Sequence, residues 1–291
     1  HFMEIERNYL IGDCLFRVEG QQLNTAVSAL EGFGVFAAGR TGQPLFGIAH
    51  QSHRADSEPM HELYCCSTDC AELLFGTWQE GYALEQTGRD DSRLLLRQRV
   101  GEPVLWLQGD LFPILLRFAL WVAYGLAALE QGRMALHGSC ICKDGKAFLF
   151  LGESGTGKST HTRLWRENIA GSVLLNDDSP IVAVEEDGVY VYGSPWSGKT
   201  PCYRCERYPL GGVVRLVQAP YNRMDRLNPI QAYAAVHPSC PPMFAYDARL
   251  YDEVSRLLGG LIARVPFFRL ACRPDREAAL LSCHILLEAA L

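Results

Sequence analysis

Gly152-Glu-Ser-Gly-Thr-Gly-Lys158-Ser159 has the residue types and spacing that hold phosphate. Gly152, Gly155 and Gly157 open backbone conformations that are closed to residues with a Cβ. The N–H groups of Glu153, Ser154, Thr156 and their glycine neighbours can then converge on phosphate oxygens. Lys158 can bridge the β- and γ-phosphates, and the Ser159 hydroxyl can ligand Mg²⁺. An apolar run at 147–151 precedes the loop, and 159–166, starting Ser159-Thr160, can be helical. Strand, glycine-rich turn and helix N-terminus are the context such a loop needs, because the helix end adds unpaired donors and a positive dipole. Residues 152–160 therefore predict a cradle for ATP or a related nucleoside triphosphate.

The next chemistry lies in Ser172-Val-Leu-Leu-Asn-Asp-Asp178, a predicted strand ending in two carboxylates. Asp177 and Asp178 follow Lys158 by 19 and 20 residues, one helix plus one strand. A strand running parallel to the one that feeds the loop would bring them beside the phosphates, at the end of the sheet where ligands sit. One carboxylate can hold Mg²⁺ and the other can take the proton of an attacking hydroxyl. An Asp-Asp pair merely opening a turn is the bland alternative, and the apolar lead-in argues against it. His137 opens a predicted hairpin within reach of the same place, although an isolated histidine is more often structural. Lys199, in Ser-Pro-Trp-Ser-Gly-Lys, sits on a loop that proline stiffens and glycine loosens. It is either a mobile cation that closes over the γ-phosphate or acceptor, or a solvated lysine. Arg204, Arg207, Arg215, Arg223 and Arg226 add positive charge downstream, and sequence does not choose a clamp among them.

His137-Gly-Ser, Gly152-Glu-Ser-Gly-Thr-Gly-Lys-Ser and Asn176-Asp-Asp, in this order, resemble the catalytic domain of the HPr kinase/phosphorylase family. That family shares a nucleotide-binding fold with phosphoenolpyruvate carboxykinase. The resemblance covers about residues 130–290. It implies Mg²⁺ and ATP as cofactors, Lys158 on phosphate, Ser159 and Asp178 on metal, Asp177 as acid/base and His137 as the active-site histidine. It also implies a phosphate-loop kinase domain with a mixed, hairpin-rich sheet. Where the HPr-directed enzymes carry an Arg-Gly-Leu-Gly type signature, this chain reads Thr200-Pro-Cys-Tyr-Arg-Cys-Glu-Arg-Tyr-Pro-Leu-Gly-Gly-Val213. The acceptor is accordingly left open: a hydroxyl of a small molecule, a peptide or a protein serine. Two other readings stand beside a kinase. One is an ATP-binding sensor or accessory protein without turnover. The other is a shikimate- or nucleoside-type kinase, whose all-parallel sheet fits poorly with the hairpins predicted after Asp178.

The elements that must position these groups belong to an α/β (α+β mixed) chain. Residues 3–109 read as short, closely spaced strands, a small and mainly antiparallel β module. Residues 110–291 read as the nucleotide-binding domain, with an apolar helix at 111–130 leading in. Hairpins are predicted at 136–151 and 181–192, a strand at 212–217, and helices at 230–236, 248–265 and 275–291, with a strand at 267–271 between the last two. The 111–129 stretch is long and apolar enough to span a bilayer. Arg117 inside it is costly in lipid, which predicts a helix buried in protein and no membrane.

Composition narrows the partners. An apolar share of 48% in 291 residues supports a full core, and a net charge of −6 offers no general field for nucleic acid. A homo-oligomer is compatible with all of this. Eleven cysteines, an odd number, read most simply as free thiols in a reducing cytoplasm. Cys202-Tyr-Arg-Cys205 has zinc or redox spacing without a second pair, and the looser group His50, His53, His61, Cys65, Cys66 and Cys70 has no standard spacing.

Overall fold

The computed structural model describes residues 6–39, 42–52 and 59–290, which form two compact units. The chain is mixed α/β, with two mixed sheets and, among the described residues, six α-helices.

The first unit spans residues up to Gln131 together with Tyr246–Ala248. Its strands are β1 (Arg7–Ile11), β2 (Cys14–Val18), β3 (Ala37–Ala38), β4 (Phe46–Gln51), β5 (His61–Ser67), β6 (Ala71–Trp78), β7 (Gly81–Gly88), β8 (Arg93–Arg99) and β9 (Val104–Gly109). They form one sheet in the order β3-β1-β2-β4-β9-β8-β7-β6-β5, antiparallel except where β4 runs parallel to β2 and β9. Helix α1 (Gln21–Ser28) follows β2.

Helix α2 (Pro113–Ala128) falls in this unit, whereas the sequence reading attaches it to the segment that follows. Its face is committed here: Gln86 Nε2 donates to Leu115 O at 2.9 Å and Tyr124 Oη to Ile11 O at 3.1 Å. Arg117 leaves the helix to donate to Glu31 O and lies over the Phe33 ring. The described residues contain one helix long and apolar enough to cross a membrane, Pro113–Gln131, and more than half of it is buried in the protein.

The second unit contains β10 (Arg133–Ala135), β11 (Gly138–Lys143), β12 (Lys146–Leu151), α3 (Lys158–Asn168), β13 (Val173–Asp178), β14 (Ile181–Val184) and β15 (Val189–Tyr192). It continues with β16 (Arg207–Gln218), β17 (Arg223–Arg226), α4 (Pro229–Val236), α5 (Ala248–Arg264), β18 (Phe267–Cys272) and α6 (Arg276–Ala289). Residues 147–151 of β12 are fully buried, as a continuous apolar run requires of a central strand. β12 lies between antiparallel β11 and parallel β16, and β11 pairs antiparallel with β13 on its other side. β12 and β13 therefore run the same way with β11 between them. The ends of β12 and β13, and the start of β11, all fall on one edge of the sheet.

α3 and α6 pack side by side over this sheet. His161 and Trp165, one turn apart on α3, both bond Ser282 Oγ of α6 at 2.9 Å. Burial holds the His161 imidazole down at about 4, against 6.5 for a free histidine, so it is neutral at pH 7. Between those values the unfolded chain binds a proton that the folded one refuses. Stability is thus intact above pH 6.5 and falls as the pH drops towards 4, by on the order of 3 kcal/mol in all. Thermal melts between pH 7.5 and 5 are expected to show this loss, and His161→Gln, which can still reach Ser282, should flatten the profile. Parallel profiles for the two proteins would place the acid sensitivity elsewhere.

Candidate active site

Gly155 and Gly157 take φ of 81° and 100°, the left-handed region that turns the chain off β12 and straight into α3. Gly157 is the N-cap of α3 and no side chain caps the helix, so its first-turn N–H groups face the loop. Thr156 Oγ1 donates to Glu153 O at 2.7 Å, closing the turn. Lys158 folds back over it, Nζ donating to Gly152 O at 2.9 Å and Glu153 O at 3.0 Å. Burial holds the Lys158 ammonium below the ordinary lysine range; Asp178 and Asp177 oppose this and Arg215 reinforces it.

β11 explains how the other groups arrive. Gly138, its first residue, sits opposite Leu151 on one side and Asp178 on the other. His137 immediately precedes it, so the backbone register alone brings histidine, loop and carboxylates to one place. Ser159 Oγ donates to Asp177 Oδ1 at 2.8 Å. Asp177 is only 5% exposed, and its Oδ2 is buried with no hydrogen-bond partner. A buried carboxylate oxygen left in that state is costly unless something of positive charge meets it. Asp178 is half-exposed instead: its Oδ1 lies 3.4 Å from His137 Nδ1, and Ser179 Oγ donates to its Oδ2 at 3.0 Å.

Asn176 is a positioning residue that the sequence shows only as the first member of Asn-Asp-Asp. Its Oδ1 accepts from the N–H groups of Asp178 and Ser179 at 2.9 and 2.8 Å. Its Nδ2 donates to Trp196 O at 3.0 Å and bonds Ser194 at 3.2 Å. One buried amide thus sets the pitch of the carboxylates and ties down the loop before Lys199. Trp196 is buried, Ser194 Oγ donates to Ser179 O at 2.6 Å, and Gly198 N donates to Asp177 O at 3.0 Å. A Cβ on Gly198 would stand 2.5 Å from that carbonyl, so only glycine permits the approach. The loop is thus hydrogen-bonded at Ser194, Trp196 and Gly198, and Lys199 follows directly on the cavity wall.

A cavity of about 370 Å³ gathers His137, Lys158, Ser159, Asp177, Asp178 and Lys199, along with Ser154, Gly155, Gly157 and Thr160. That is within the range of small-molecule clefts, about 300–1,000 Å³. Gly152 supplies its carbonyl to Lys158, while the Glu153 side chain is 82% exposed and faces Arg215 across 3.8 Å. Of the five arginines, Arg215 is the one paired with a loop side chain among the described contacts; it is partly buried on β16 and also donates to Ala235 O. Arg207 is instead held by Glu185 and Tyr192, and Arg223 by Asp225.

The residues fit Mg²⁺: a serine hydroxyl and an adjacent buried carboxylate with a spare oxygen are hard oxygen donors. No metal-binding group of three or more His, Cys, Asp or Glu occurs among the described residues. The Cys202 thiol donates towards Leu174 O, and His50 Nε2 bonds Gly109 O. His53 lies outside the described residues.

No family model matches the chain, and no curated protein matches it. Among solved structures the chain is similar to the Hpr(Ser) kinase/phosphatase from Coxiella burnetii, at 14% identity and a TM-score of 0.29. The match covers 53% of this chain and 88% of that one. That likeness is distant, and the functional reading rests on the site itself.

Proposed function

We propose that the second unit is a Mg²⁺- and ATP-dependent phosphotransferase acting on an alcohol. The observation that carries this is one cavity holding a glycine-rich loop with its lysine, a Ser159–Asp177 pair with a spare buried oxygen, and a separate His137–Asp178 pair. Mg²⁺ held by Ser159 and Asp177 would neutralise charge on the β- and γ-phosphate oxygens. Lys158 leaves the loop carbonyls and meets the transferring group, with Lys199 adding charge from the opposite wall. Asp178, turned by His137, accepts the proton as the acceptor oxygen bonds to the γ-phosphorus and the bond to the ADP oxygen breaks. This exchanges the roles of Asp177 and Asp178 relative to those the family resemblance implied. What supports the exchange is that Ser159 reaches the buried Asp177, while the half-exposed carboxylate belongs to Asp178.

The acceptor is a hydroxyl of a small molecule, a peptide or a protein serine, and the reading suits a cytoplasmic protein with eleven free cysteines. The test is ADP release from MgATP with and without a panel of free serine, serine-containing peptides and polyols. Acceptor-dependent ADP with matching phosphoester formation is the expected result. Tight MgATP binding without turnover on any acceptor would make the protein a nucleotide sensor instead.

A further inference from the structure

Two buried hydroxyls join α3 to the sheet next to the Ser159–Asp177 pair. Ser139 on β11 lies opposite Phe150 of β12 on one side and Asp177 of β13 on the other. Directly opposed residues place their side chains on the same face of a sheet, so Phe150, Ser139 and Asp177 form one row beneath α3. The helix answers that row residue by residue. The His161 ring lies 4.7 Å from the Phe150 ring, centroid to centroid. Thr162 Oγ1 meets Ser139 Oγ at 2.9 Å, and Ser159 Oγ donates to Asp177 Oδ1 at 2.8 Å.

The protons of this row have definite places. Thr162 Oγ1 donates to Ser159 O at 3.2 Å and to Lys158 O at 3.4 Å. A hydroxyl carries a single proton, so Thr162 accepts in the bond across the interface and Ser139 donates. Both residues are 1% exposed. Polar groups so deep are costly unless bonded, and apolar side chains of the same shape would fill the space without that risk. What a hydrogen bond adds over apolar contact is a fixed distance and direction.

We propose that Ser139 and Thr162 are positioning residues: their bond sets how closely the first turn of α3 approaches β13, and so keeps Ser159 and Asp177 near enough to share one Mg²⁺. The proposal rests on the reading of Ser159 and Asp177 as the metal pair. Two bonds tie helix to sheet side by side here. Ser159–Asp177 joins atoms that the cation would itself engage. Thr162–Ser139 engages neither of them and can hold the spacing whether the site is empty or full. Through Thr162 it reaches the carbonyl of Ser159, so the tether ends on the backbone of the metal-binding serine.

The test is calorimetric titration of the full chain with ADP, in saturating Mg²⁺ and in EDTA, together with titration of Mg²⁺ at fixed ADP. Ser139→Ala deletes one oxygen and leaves Thr162 its carbonyl partners. Thr162→Val keeps the shape and removes the hydroxyl. Each should raise the Mg²⁺ concentration for half-saturation about tenfold, the lower end of what the outer partners of metal ligands are worth. ADP affinity in EDTA should not change. Thr162→Ser, which retains the hydroxyl, should need no more Mg²⁺ than the wild type. The double variant should be no worse than the poorer single one, since the two hydroxyls act as a unit.

An unchanged Mg²⁺ requirement in Ser139→Ala overturns the proposal, and that variant decides the matter should Thr162→Val not fold. Equal losses of ADP affinity with and without Mg²⁺ would make the pair plain packing and overturn it as well. So would a Thr162→Ser variant as poor as Thr162→Val. A wild type whose ADP affinity ignores Mg²⁺ removes the metal reading of Ser159 and Asp177 first and this one with it.

Discussion

Lys158→Ala is expected to lower ATP-dependent phosphoryl transfer by on the order of 10²–10³, the scale on which a preorganised charge stabiliser acts. The folded state should survive. Lys158 Nζ donates to Gly152 O and Glu153 O, and it lines a cavity from which water can reach those loop carbonyls once the side chain is gone. Losing these two hydrogen bonds from a partly buried side chain, with its desolvation relieved at the same time, changes stability by about 1 kcal/mol. Burial already depresses the Lys158 pKa, so the ammonium is held where it is poorly solvated. An incoming polyphosphate restores what water no longer supplies, which is why a lysine belongs there. Turnover assays, nucleotide titration and a thermal melt on the same preparation separate the cases. Equal ATP affinity and turnover in the variant would remove the loop from the chemistry. A melting temperature many degrees lower would make Lys158 a structural lysine.

The linear order of the chain shows the loop and the paired carboxylates because both are local. Glycines, lysine and serine act from consecutive positions, and a strand ending in Asn-Asp-Asp is written in six residues. The pairing that joins them is not local. Nothing in Gly138 announces that it lies opposite both Leu151 and Asp178, and that register places His137. The helix at Pro113–Ala128 is equally plain as an apolar segment, yet its allegiance depends on Gln86 and Ile11, far away in sequence. The β6–β7 hairpin escapes sequence reading for another reason. Its turn places Gln79 at a φ of 51°, a conformation more often signalled by glycine or asparagine. Asn176 shows the same limit within the site. Asparagine before two aspartates looks like turn chemistry, and only the fold shows its amide clamping the Trp196 loop. That clamp also holds the loop just before Lys199, where Gly198 permits a close approach to the Asp177 carbonyl.

The paired aspartates are expected to part company on substitution. Asp177→Asn keeps the side-chain volume and removes a charge that the ligand-free protein holds at a cost, since one carboxylate oxygen is buried without a partner. Functional sites store instability of this kind, and relieving it commonly gains stability at the expense of activity. The variant should therefore melt no lower than the wild type in the absence of ligand. It should also need far more Mg²⁺ to bind ATP and should lose the stabilisation that MgADP gives. Asp178→Asn touches a half-exposed carboxylate whose partners are His137 and Ser179, so Mg²⁺-dependent binding should persist. Turnover should fall instead by about 10²–10⁴, the usual worth of a general base. Melting curves with and without MgADP, read beside acceptor-dependent ADP release, distinguish the two. Should Asp178→Asn abolish the Mg²⁺ dependence while Asp177→Asn retains it, the metal belongs to Asp178. The Ser159–Asp177 hydrogen bond would then be a contact of the empty site, given up when nucleotide arrives.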